Sequence, residues 1–476
     1  MSLGVLATFE CVNASARLNI TRIPNKHELV MSLENQPPSP QGDRLDREKL
    51  TFLWGMDPLP MSDTPAHFLA VGELGSGKPI ALRLLMQSVM KYIGLGLDHR
   101  ALVFDTRGKL NSLTRGMALG CPVHTMNPFD RRGTAWDIAA DIASPSAANQ
   151  MATVLIPKEV GSAQPFFADA ARQLLFAVCQ SFLTIAPGRW TLRDLLLAMR
   201  SRERILSLLA RSPATAAVAQ SVINDERHGL GILTTLITKL QPFEAIAACW
   251  QHATKKLSLE RWVGEESVIL LEGAPRFHSS VAPVHQLMFR RLSDLLRSQP
   301  DSAGRRTWIF LDDIREAGWL ETLPALMQQG CCKGVCVAFG MTEIEGIRNL
   351  YGPQAAAVLT DYCTHKTAMR PTDPTTAAWA AQLFGPPLTA SGLMSLPPTG
   401  PEHDYTAFHH TPRAGTYVAH KSWDWVHAHL PPSADATPDE FLRPESEHHL
   451  QDWTDEDYRR LGLDNPLPTG LSTSSE

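Results

Sequence analysis

Residues 67–86 read HFLAVGELGSGKPIALRLLM: an apolar run, a glycine-rich turn, a lysine and a helical pattern. Glycine occupies three of six consecutive positions, namely Gly72, Gly75 and Gly77. Glycines let a chain curl tightly enough to aim several amide N–H groups at one anion. The flanking apolar residues predict a buried strand before the turn and a helix after it, whose N-terminus favours an anion. With Ser76 and Lys78 completing it, the stretch predicts a nucleotide-binding phosphate loop.

One position of this loop departs from the pattern G-x-x-x-x-G-K-[ST], because Pro79 stands where serine or threonine is required. The substitution removes a hydroxyl that would hold Mg²⁺ and a backbone N–H that would contact phosphate. Proline is well tolerated in the first turn of a helix, so the fold does not require another residue here. Taken alone, the loop leaves a second interpretation open: a glycine turn that joins strand to helix without a ligand.

Length and composition restrict the class of protein. The chain has 476 residues with 44% hydrophobic and 20% charged residues, which is typical of a soluble globular protein with two or three domains. The formal net charge of -5 argues against a generally basic nucleic-acid binder but permits a local basic channel. No apolar run reaches the roughly 18 residues of a membrane span, and the first residues do not resemble a signal peptide. These features predict a cytoplasmic protein without a membrane span.

The eight cysteines do not predict a metal site. Most are scattered singly in apolar surroundings, as expected for reduced thiols in the cytoplasm. Cys331, Cys332 and Cys336 form a cluster, but no second pair of cysteines or histidines lies nearby at zinc spacing.

Acidic residues follow two short apolar runs. Asp105 ends the run ALVF, and Asp312 and Asp313 follow WIFL. At the carboxyl end of a buried strand, the first acid of such a pair can hold the Mg²⁺ shell, and the second can orient or deprotonate an attacking water. Asp312 and Asp313 are therefore the predicted catalytic residues, although strand-end acids also cap helices. The usual second acid is glutamate, and Asp313 is shorter by one methylene, about 1 Å of reach.

The distribution of apolar, polar and turn-forming residues along the chain predicts five segments in an α/β fold. Residues 144–264 have apolar positions at helical spacing with turn signals between them, so they read as an all-α domain inserted into an α/β domain. The remaining segments are an N-terminal arm and linker (1–60), the first part of the α/β domain (61–143), its second part (265–386) and an extended C-terminal tail with one or two docking elements (387–476).

The helical segment is locally basic. Its arginines concentrate over 19 residues at Arg193, Arg200, Arg202, Arg204 and Arg211. The first four are the predicted contacts to a DNA backbone or to an acidic partner. A solvated helix face is the alternative explanation for the same pattern.

Several segments together resemble the coupling-protein ATPases of type IV secretion and bacterial conjugation, the TraD/TraG type. They follow the family order over about residues 60–390: HFLAVGELGSGK, ALVFDTRGKL, MNPFDRRGTAWDI, the helical insertion, TWIFLDD, CVAFG with its downstream LYG, and AMRPTDPTTAAWAAQLFG. The resemblance implies a RecA-like P-loop NTPase domain with an inserted all-α domain. It further implies a ring, usually a hexamer, that couples ATP hydrolysis to moving a relaxase-bearing single strand of DNA into a secretion channel.

The resemblance also implies roles for individual residues. Lys78 matches the phosphate lysine, Asp312 the Mg²⁺ acid, and Arg370 a basic position after the last motor strands. ATP and Mg²⁺ are the implied cofactors, although Pro79 lacks the hydroxyl that holds Mg²⁺ in the family pattern. The all-α domain of the family receives substrate, which would give the arginine-rich helix a partner in DNA or a relaxase or other substrate protein.

Four positions depart from the family at the nucleotide chemistry. Pro79 replaces the Mg²⁺ hydroxyl, Asp313 the catalytic glutamate, Thr342 a glutamine that senses the γ-phosphate, and Cys331 an arginine that would act on a neighbouring subunit. The two N-terminal membrane helices common in the family are also absent from the sequence. Because phosphoryl transfer depends on positioning and charge stabilisation, these changes favour a degenerate member that hydrolyses ATP weakly or not at all.

Two functions follow. The first is a subunit or adaptor in DNA or substrate delivery, assembled as a hexamer or with an active ATPase. The alternative is an active, soluble, ATP-driven translocase of single-stranded DNA. A double-strand translocase of the FtsK/HerA type shares the loop but does not explain the NPFD and LYG segments.

Overall fold

A computed structural model describes residues 49–464 except 56, 107, 109, 159–164, 223–225, 274, 372 and 431–440. Most of the predicted N-terminal arm and linker therefore lies outside the described residues. The strands are β1 (Thr51–Trp54), β2 (Asp57–Pro60), β3 (His67–Val71), β4 (His99–Asp105), β5 (Val123–Thr125), β6 (Thr134–Trp136), β7 (Lys255–Leu257), β8 (Val268–Glu272), β9 (Arg306–Leu311), β10 (Val335–Met341), β11 (Cys363–Ala368), β12 (Tyr405–Thr411) and β13 (Gly415–Lys421).

The α-helices of the described part fall into three groups along the chain. Those before and within the helical region are α1 (Lys78–Met90), α2 (Leu110–Gly116), α3 (Ile138–Asp141), α4 (Pro145–Leu155), α5 (Pro165–Ile185), α6 (Leu192–Ala198), α7 (Arg202–Leu209), α8 (Pro213–Val222), α9 (Glu226–Leu240), α10 (Glu244–Gln251) and α11 (Leu259–Trp262). Those of the second α/β part are α12 (His278–Ser298), α13 (Leu323–Gly330), α14 (Ile344–Tyr351), α15 (Pro353–Asp361) and α16 (Pro374–Phe384). The last are α17 (Ala390–Met394), α18 (Trp423–His429) and α19 (Asp455–Arg460).

A nine-stranded sheet, in the order β13-β12-β11-β3-β10-β9-β4-β8-β5, positions the site. The strands from β11 to β5 pair in parallel, and β12 and β13 are antiparallel additions. The carboxyl ends of parallel strands lie at one edge of the sheet, where ligands bind in open α/β folds. The loop after β3 therefore lies between the ends of β11 and β10, with the end of β9 one strand further along.

Alternation along β3 explains why both faces of the sheet are covered. Leu69 and Val71 belong to a core that continues into the helical region, whereas Phe68 and Ala70 belong to the core beneath α1 and the β1–β2 hairpin. Successive side chains of a strand point to opposite faces, so a strand that is apolar throughout must be buried on both. The continuous apolar runs of the sequence thus correctly predict the central strands.

The end of the predicted N-terminal linker is a packed hairpin. β1 and β2 pair antiparallel, and the N–H of Leu53 donates to Ser88 Oγ on α1 at 2.9 Å. Phe52 and Trp54 are buried, and their rings lie 5.6 and 5.1 Å from that of Phe68. The hairpin is therefore part of the core and not a linker, because Phe52 and Trp54 pack against Phe68 of β3 and the main chain of Leu53 bonds to α1.

Helices predominate in the segment that the sequence predicts to be an inserted all-α domain. Helices α4 to α10 follow one another between β6 and β7, and these two short strands pair in parallel. The predicted all-α segment 144–264 therefore contains one strand, β7. The core of the sheet face continues into these helices, and the boundary of a separate inserted domain stays a prediction.

The prediction of an extended C-terminal tail is wrong for the strands beyond residue 400. β12 pairs antiparallel with β11, and β13 pairs with β12, so both extend the main sheet. Tyr405, Ala407 and His409 are buried on β12, and His409 Nδ1 lies 2.6 Å from Thr367 Oγ1 on β11. The strand YTAFHHT is buried except at the partly buried Thr406 and His410, but it contains no long apolar run, which explains why its composition suggests a tail.

Among the described residues, no helix is both long and apolar enough to cross a lipid bilayer.

Candidate functional site

The glycine-rich loop joins β3 to α1 at the carboxyl edge of the sheet. α1 begins at Lys78, and Gly77 is its N-cap with φ 103° and ψ 6°. The carbonyl of Gly77 accepts hydrogen bonds from the N–H groups of Ile80 and Ala81 at 2.9 and 3.3 Å. Pro79 occupies the first turn of the helix, where its missing N–H breaks no intrahelical bond. The loop and helix thus form as the sequence predicts, with proline accommodated.

Two glycines of the loop are required for steric reasons. A Cβ on Gly72 would lie 2.5 Å from Ser76 Oγ, and a Cβ on Gly77 would lie 2.8 Å from Thr399 Oγ1. Gly75 differs, because its φ is +81° but a Cβ there would meet nothing within 4 Å. The tip of the loop therefore faces open space, while its base is packed. Open space above a glycine-rich curl is the room that a phosphate group needs.

Polar groups of the loop bond to one another. Lys78 is only 6% exposed, and its Nζ donates to the carbonyls of Gly72 and Glu73 at 2.6 and 2.9 Å. Ser76 Oγ donates to the carbonyl of Glu73 at 2.7 Å, and Thr399 Oγ1 donates to the carbonyl of Ser76 at 2.6 Å. The ammonium group predicted to bind phosphate is thus held at the base of the loop.

Arg370 comes to the same loop from the end of β11. The N–H of Glu73 donates to the carbonyl of Arg370 at 2.7 Å, so the two main chains are joined. The Arg370 guanidinium in turn forms an ion pair with the Glu73 carboxylate through Nε and a terminal nitrogen. The structure therefore brings Arg370 and Lys78 together at the loop, as the resemblance implies.

The predicted catalytic acids follow β9. Leu311 pairs with Phe339 of β10, so Asp312 and Asp313 lie beside the end of that strand. Burial raises the pKa of Asp313, while the hydrogen bond from the Arg315 N–H at 3.0 Å lowers it; Glu316 raises it further, and Lys78 and Arg315 lower it through their charges. Asp313 is thus close enough to Lys78 for the two charges to interact.

Thr342 and Cys331 lie at opposite ends of the sheet. Thr342 follows Met341, whose carbonyl accepts a hydrogen bond from the N–H of Gly72 at 3.3 Å, so Thr342 lies beside the loop. Cys331 lies at the amino edge, where its Sγ is 3.2 Å from Nε2 of His67, the first residue of β3. Within one chain, Cys331 is therefore separated from the loop by the length of β3.

A buried polar network at the ends of β4 and β8 was not predicted as a unit. Asp105 and Glu272 pair across these strands, and Glu272 accepts hydrogen bonds from Asn111 and Asn127 Nδ2 at 3.0 and 3.3 Å. Burial raises the pKa of Glu272 to about 7, against the two hydrogen bonds, and the charges of Asp105 and Asp130 raise it further. Asp105 itself accepts a hydrogen bond from the N–H of Asn111 at 2.8 Å, which caps α2 and supports its structural interpretation.

Two of the predicted DNA-contact arginines bind the chain's own C-terminal segment, residues 450–463. Arg193 donates to the carbonyls of Gln451 and Asp452 at 2.9 and 2.6 Å and to Asp457 Oδ2 at 3.1 Å. Arg204 donates to Asp452 Oδ2 at 2.8 Å, and its guanidinium carbon lies 4.8 Å from the centre of the Trp453 ring. These contacts explain the basic pattern by intramolecular pairing.

Arg200 is the most exposed of the four predicted arginines. Its side chain is 40% exposed and pairs with Glu244 on α10 at 2.9 Å. Arg202 is the first residue of α7 and is partly buried. The pKa of Asp452 in the C-terminal segment is lowered chiefly by the hydrogen bond from Arg204, and the charge of Arg200 lowers it further.

Buried anchors hold the C-terminal segment in place. Asp194 is fully buried, and it accepts hydrogen bonds from two nitrogens of Arg460, both at 2.9 Å, and from Trp453 Nε1 at 3.1 Å. Leu461 is also fully buried, and Arg211 donates to the carbonyls of Gly462 and Leu463, both at 2.9 Å. Helix α19 is part of this docked segment, within the tail for which the sequence predicts one or two docking elements.

The residues at the loop fit phosphate better than they fit Mg²⁺. The glycine curl, the helix N-terminus, Lys78 and Arg370 supply the donors that a phosphate group requires. Mg²⁺ prefers several oxygen ligands in octahedral geometry, and Pro79 has no hydroxyl to offer. No group of three or more histidine, cysteine or acidic side chains suited to a metal ion occurs in the part of the chain that the structure describes.

Glu73 and Thr399 are the site residues that sequence reasoning missed. Glu73 is an acid inside a loop predicted to bind anions, and this unexpected charge is visible in the sequence. Thr399 gives no such signal, because it contacts a residue 323 positions away.

Comparisons with known proteins agree with this geometry. The sequence model of the type IV secretion-system coupling protein DNA-binding domain matches residues 52–388. The coupling protein TraD of Escherichia coli strain K12 is 22% identical over 327 residues, which cover 67% of this chain and 44% of TraD. The chain therefore spans less than half the length of this relative.

Solved structures of the bacterial conjugative coupling protein TrwB share the fold. The unbound form of TrwBdeltaN70 has a TM-score of 0.61 at 17% identity, covering 84% of this chain and 92% of TrwBdeltaN70. TrwB with the non-hydrolysable GTP analogue GDPNP and TrwB with ADP and Mg²⁺ have TM-scores of 0.61 and 0.60. Each is 18% identical and covers 83% of this chain and 92% of the TrwB chain.

These likenesses confirm the predicted fold class, a RecA-like P-loop NTPase domain with helices inserted into an α/β sheet. They also confirm the resemblance drawn from the short segments around the loop and the strand ends. Because the family model matches well over half of its residues, the chain belongs to the family of type IV secretion-system coupling proteins.

Proposed function

We propose that this chain is a cytoplasmic subunit or adaptor for delivery of DNA or a substrate protein in conjugation or type IV secretion, with weak or no ATP hydrolysis. The single observation that carries this proposal is Pro79 in the first turn of α1. Ser76 and Thr399 carry the neighbouring hydroxyl groups, and each donates to a loop carbonyl. Neither residue lies in the first turn of α1, where the phosphate-loop pattern places the hydroxyl that holds Mg²⁺.

The physical reason is that phosphoryl transfer is catalysed almost entirely by positioning and charge stabilisation. Without a hydroxyl at position 79, only the carboxylates after β9, those of Asp312 and Asp313, would be available as predicted protein ligands for a metal ion. Asp313 replaces a longer acid, and Cys331 offers no cation where the family resemblance implies an arginine finger. Removing an arginine finger alone lowers the rate by about 10³–10⁵.

We further infer that the chain works as an oligomer, either a hexameric ring or a ring shared with an active ATPase. Cys331 lies at the amino edge of the sheet, so a residue at its position acts on nucleotide only when a second subunit presents its loop there. Genomic proximity to a second ATPase with an intact phosphate loop would support the mixed ring.

One observation favours the alternative function, an active translocase of single-stranded DNA. Asp313 and Lys78 interact electrostatically, and Arg370 lies at the loop, which supports an arrangement capable of hydrolysis. Nucleotide binding separates the two functions. In calorimetric titrations with ADP, the non-hydrolysing subunit has the same affinity with Mg²⁺ as with EDTA. An affinity that rises by more than about tenfold with Mg²⁺ would favour the active enzyme, because its site would include the metal.

DNA binding tests the delivery role. If Arg200 and Arg202 contact DNA phosphates, the double change to glutamate weakens single-stranded DNA binding and lowers the slope of log affinity against log salt by about one to two. Arg261→Glu is the matched control, because Arg261 is 79% exposed on α11. Equal weakening by the control, or an affinity that does not respond to salt, would count against a DNA surface at these two arginines.

A further inference from the structure

The phosphate loop carries its own carboxylate. Glu73 is the second residue of the loop, and its side chain is 23% exposed at the rim where Arg370 arrives from β11. The sequence pattern of a phosphate loop places no requirement on this position. An acid there adds negative charge to a site that otherwise attracts anions. Its effect on anion binding depends on the cation with which it pairs.

That partner is the arginine with which a nucleotide would pair. Both Nε and a terminal nitrogen of Arg370 contact Glu73 Oε1, and such charge-assisted pairing is the same interaction that arginine makes with phosphate. The side chain of Arg370 is 35% exposed, so a ligand arriving from solvent can reach it.

Hydrogen bonds of the main chain anchor both residues of this ion pair. The N–H of Glu73 donates to the carbonyl of Arg370, and its own carbonyl accepts bonds from Ser76 Oγ and Lys78 Nζ. The pair between the side chains therefore forms between two anchored residues, which lowers its entropic cost compared with an ordinary surface pair.

The rest of the loop does not obstruct a ligand. Leu74 is 83% exposed, and the space around Gly75 is open to at least 4 Å. A ligand can therefore reach the tip of the loop from solvent. The ion pair between Glu73 and Arg370 is the interaction that opposes phosphate binding.

We propose that Glu73 is a specificity-determining residue that competes with nucleotide phosphate for Arg370 and so weakens binding of anions to this loop. This inference rests on the proposed nucleotide site, and it goes beyond it by naming what sets its affinity. A phosphate group must displace the carboxylate from Arg370 and also lie near its negative charge.

Glu73→Gln removes the charge and keeps the size of the side chain. We expect this variant to bind ADP about 3- to 10-fold more tightly than the unchanged chain in Mg²⁺-free calorimetry, as loss of a partly exposed ion pair allows. In the Arg370→Ala background, the same change should give a clearly smaller gain, because the contested cation is gone. Such non-additivity is the signature of a direct interaction.

Glu343→Gln is the matched control. Glu343 also pairs with an arginine, Arg315, at 2.7 Å, and it follows β10 at the same edge of the sheet with a side chain 39% exposed. We expect its ADP affinity to stay within about twofold of the unchanged chain. Equal gains for Glu343→Gln and Glu73→Gln would overturn the competition, because a general charge effect would then explain both.

Equal ADP affinity of Glu73→Gln and the unchanged chain, or no binding by either, would also overturn it. The proposed non-hydrolysing function would survive that result, since it concerns turnover. Conversely, ATP hydrolysis by the unchanged chain would contradict the proposed function while leaving the measured effect of Glu73 on affinity intact.

Discussion

At the scale of single residues, Gly77 shows how tightly the loop is built. Its φ of +103° is unfavourable for any residue with a Cβ, and that Cβ would also lie 2.8 Å from Thr399 Oγ1. Gly75 has a φ of +81° without a steric neighbour. The two glycines therefore separate the effect of backbone conformation from the effect of crowding.

We expect Gly77→Ala to lower the free energy of unfolding by about 2–4 kcal/mol and Gly75→Ala by about 1 kcal/mol. The measurement is urea unfolding followed by circular dichroism. If the two variants lose the same stability, Thr399 is not pressed against the loop as the structure has it.

Glu272 predicts a dependence of stability on pH. Its pKa is raised from 4.5 to about 7, chiefly by burial. Below about pH 4.5 the carboxyl is protonated in the folded and the unfolded chain alike. Between the two values only the folded chain keeps the proton, so unfolding releases it and stability falls as pH rises. Above pH 7 the folded chain holds a buried charge.

Glu272→Gln removes this titration and can still accept both asparagine hydrogen bonds through its carbonyl. Relative to the unchanged chain, the variant should gain on the order of 1–3 kcal/mol of stability between pH 5 and pH 8. Urea unfolding at the two pH values measures the difference, with Glu456→Gln on exposed α19 as the control. A difference that does not change with pH would exclude Glu272 as the titrating group.

At the scale of elements, the C-terminal segment 450–463 is a part of the helical region. It supplies Arg460 and Trp453 to the buried carboxylate of Asp194, and removal of one partner from a buried charge is strongly destabilising. A sequence rich in acids near a chain end suggests a solvated tail, but here the acids meet the arginines of α6 and α7.

We expect Arg460→Ala to destabilise the chain by about 1–3 kcal/mol, because Asp194 loses two hydrogen bonds and a counter-charge. Arg459→Ala is the neighbouring control, and its exposed side chain should matter by less than about 0.5 kcal/mol. Guanidinium unfolding of both variants provides the comparison. Similar losses would show that the segment is not anchored through Asp194.

The sequence predicts elements well where burial is continuous. β3, β9 and β10 are apolar on both faces, so each appears as an unbroken apolar run. The sequence does not reveal β12, because its buried His409 and Thr411 look polar. In the structure, Thr367 bonds to the His409 ring, and Thr411 Oγ1 accepts from the N–H of Ala414 in the following turn. The prediction of helix α1 is correct, because glycine before a helix and proline in its first turn mark where the helix begins.

The candidate site is predictable only in part for a similar reason. Lys78 and the acids after β9 follow from local patterns at strand ends. The pairing of Glu73 with Arg370 and the contact of Thr399 join residues about 300 positions apart, and a single sequence contains no signal for such contacts.

At the scale of the whole molecule, the family fold is retained while several residues at the phosphate loop and the strand ends depart from the family pattern. The sheet brings the ends of β3, β9, β10 and β11 together, at the edge where ligands bind in open α/β folds. At those ends stand Pro79, Asp313 and Thr342, together with the Glu73 carboxylate that pairs with Arg370. The function we propose, a coupling-protein scaffold that binds nucleotide weakly and delivers substrate without its own hydrolysis, would account for this combination.

The most direct test is ATP turnover by the purified chain with Mg²⁺ and single-stranded DNA, measured beside Lys78→Ala. The control variant loses the lysine of the loop, so any hydrolysis that depends on this site must disappear with it. We expect no DNA-stimulated phosphate release above that of Lys78→Ala. DNA-stimulated hydrolysis that Lys78→Ala abolishes would rule out a non-hydrolysing subunit and establish the chain as an active motor.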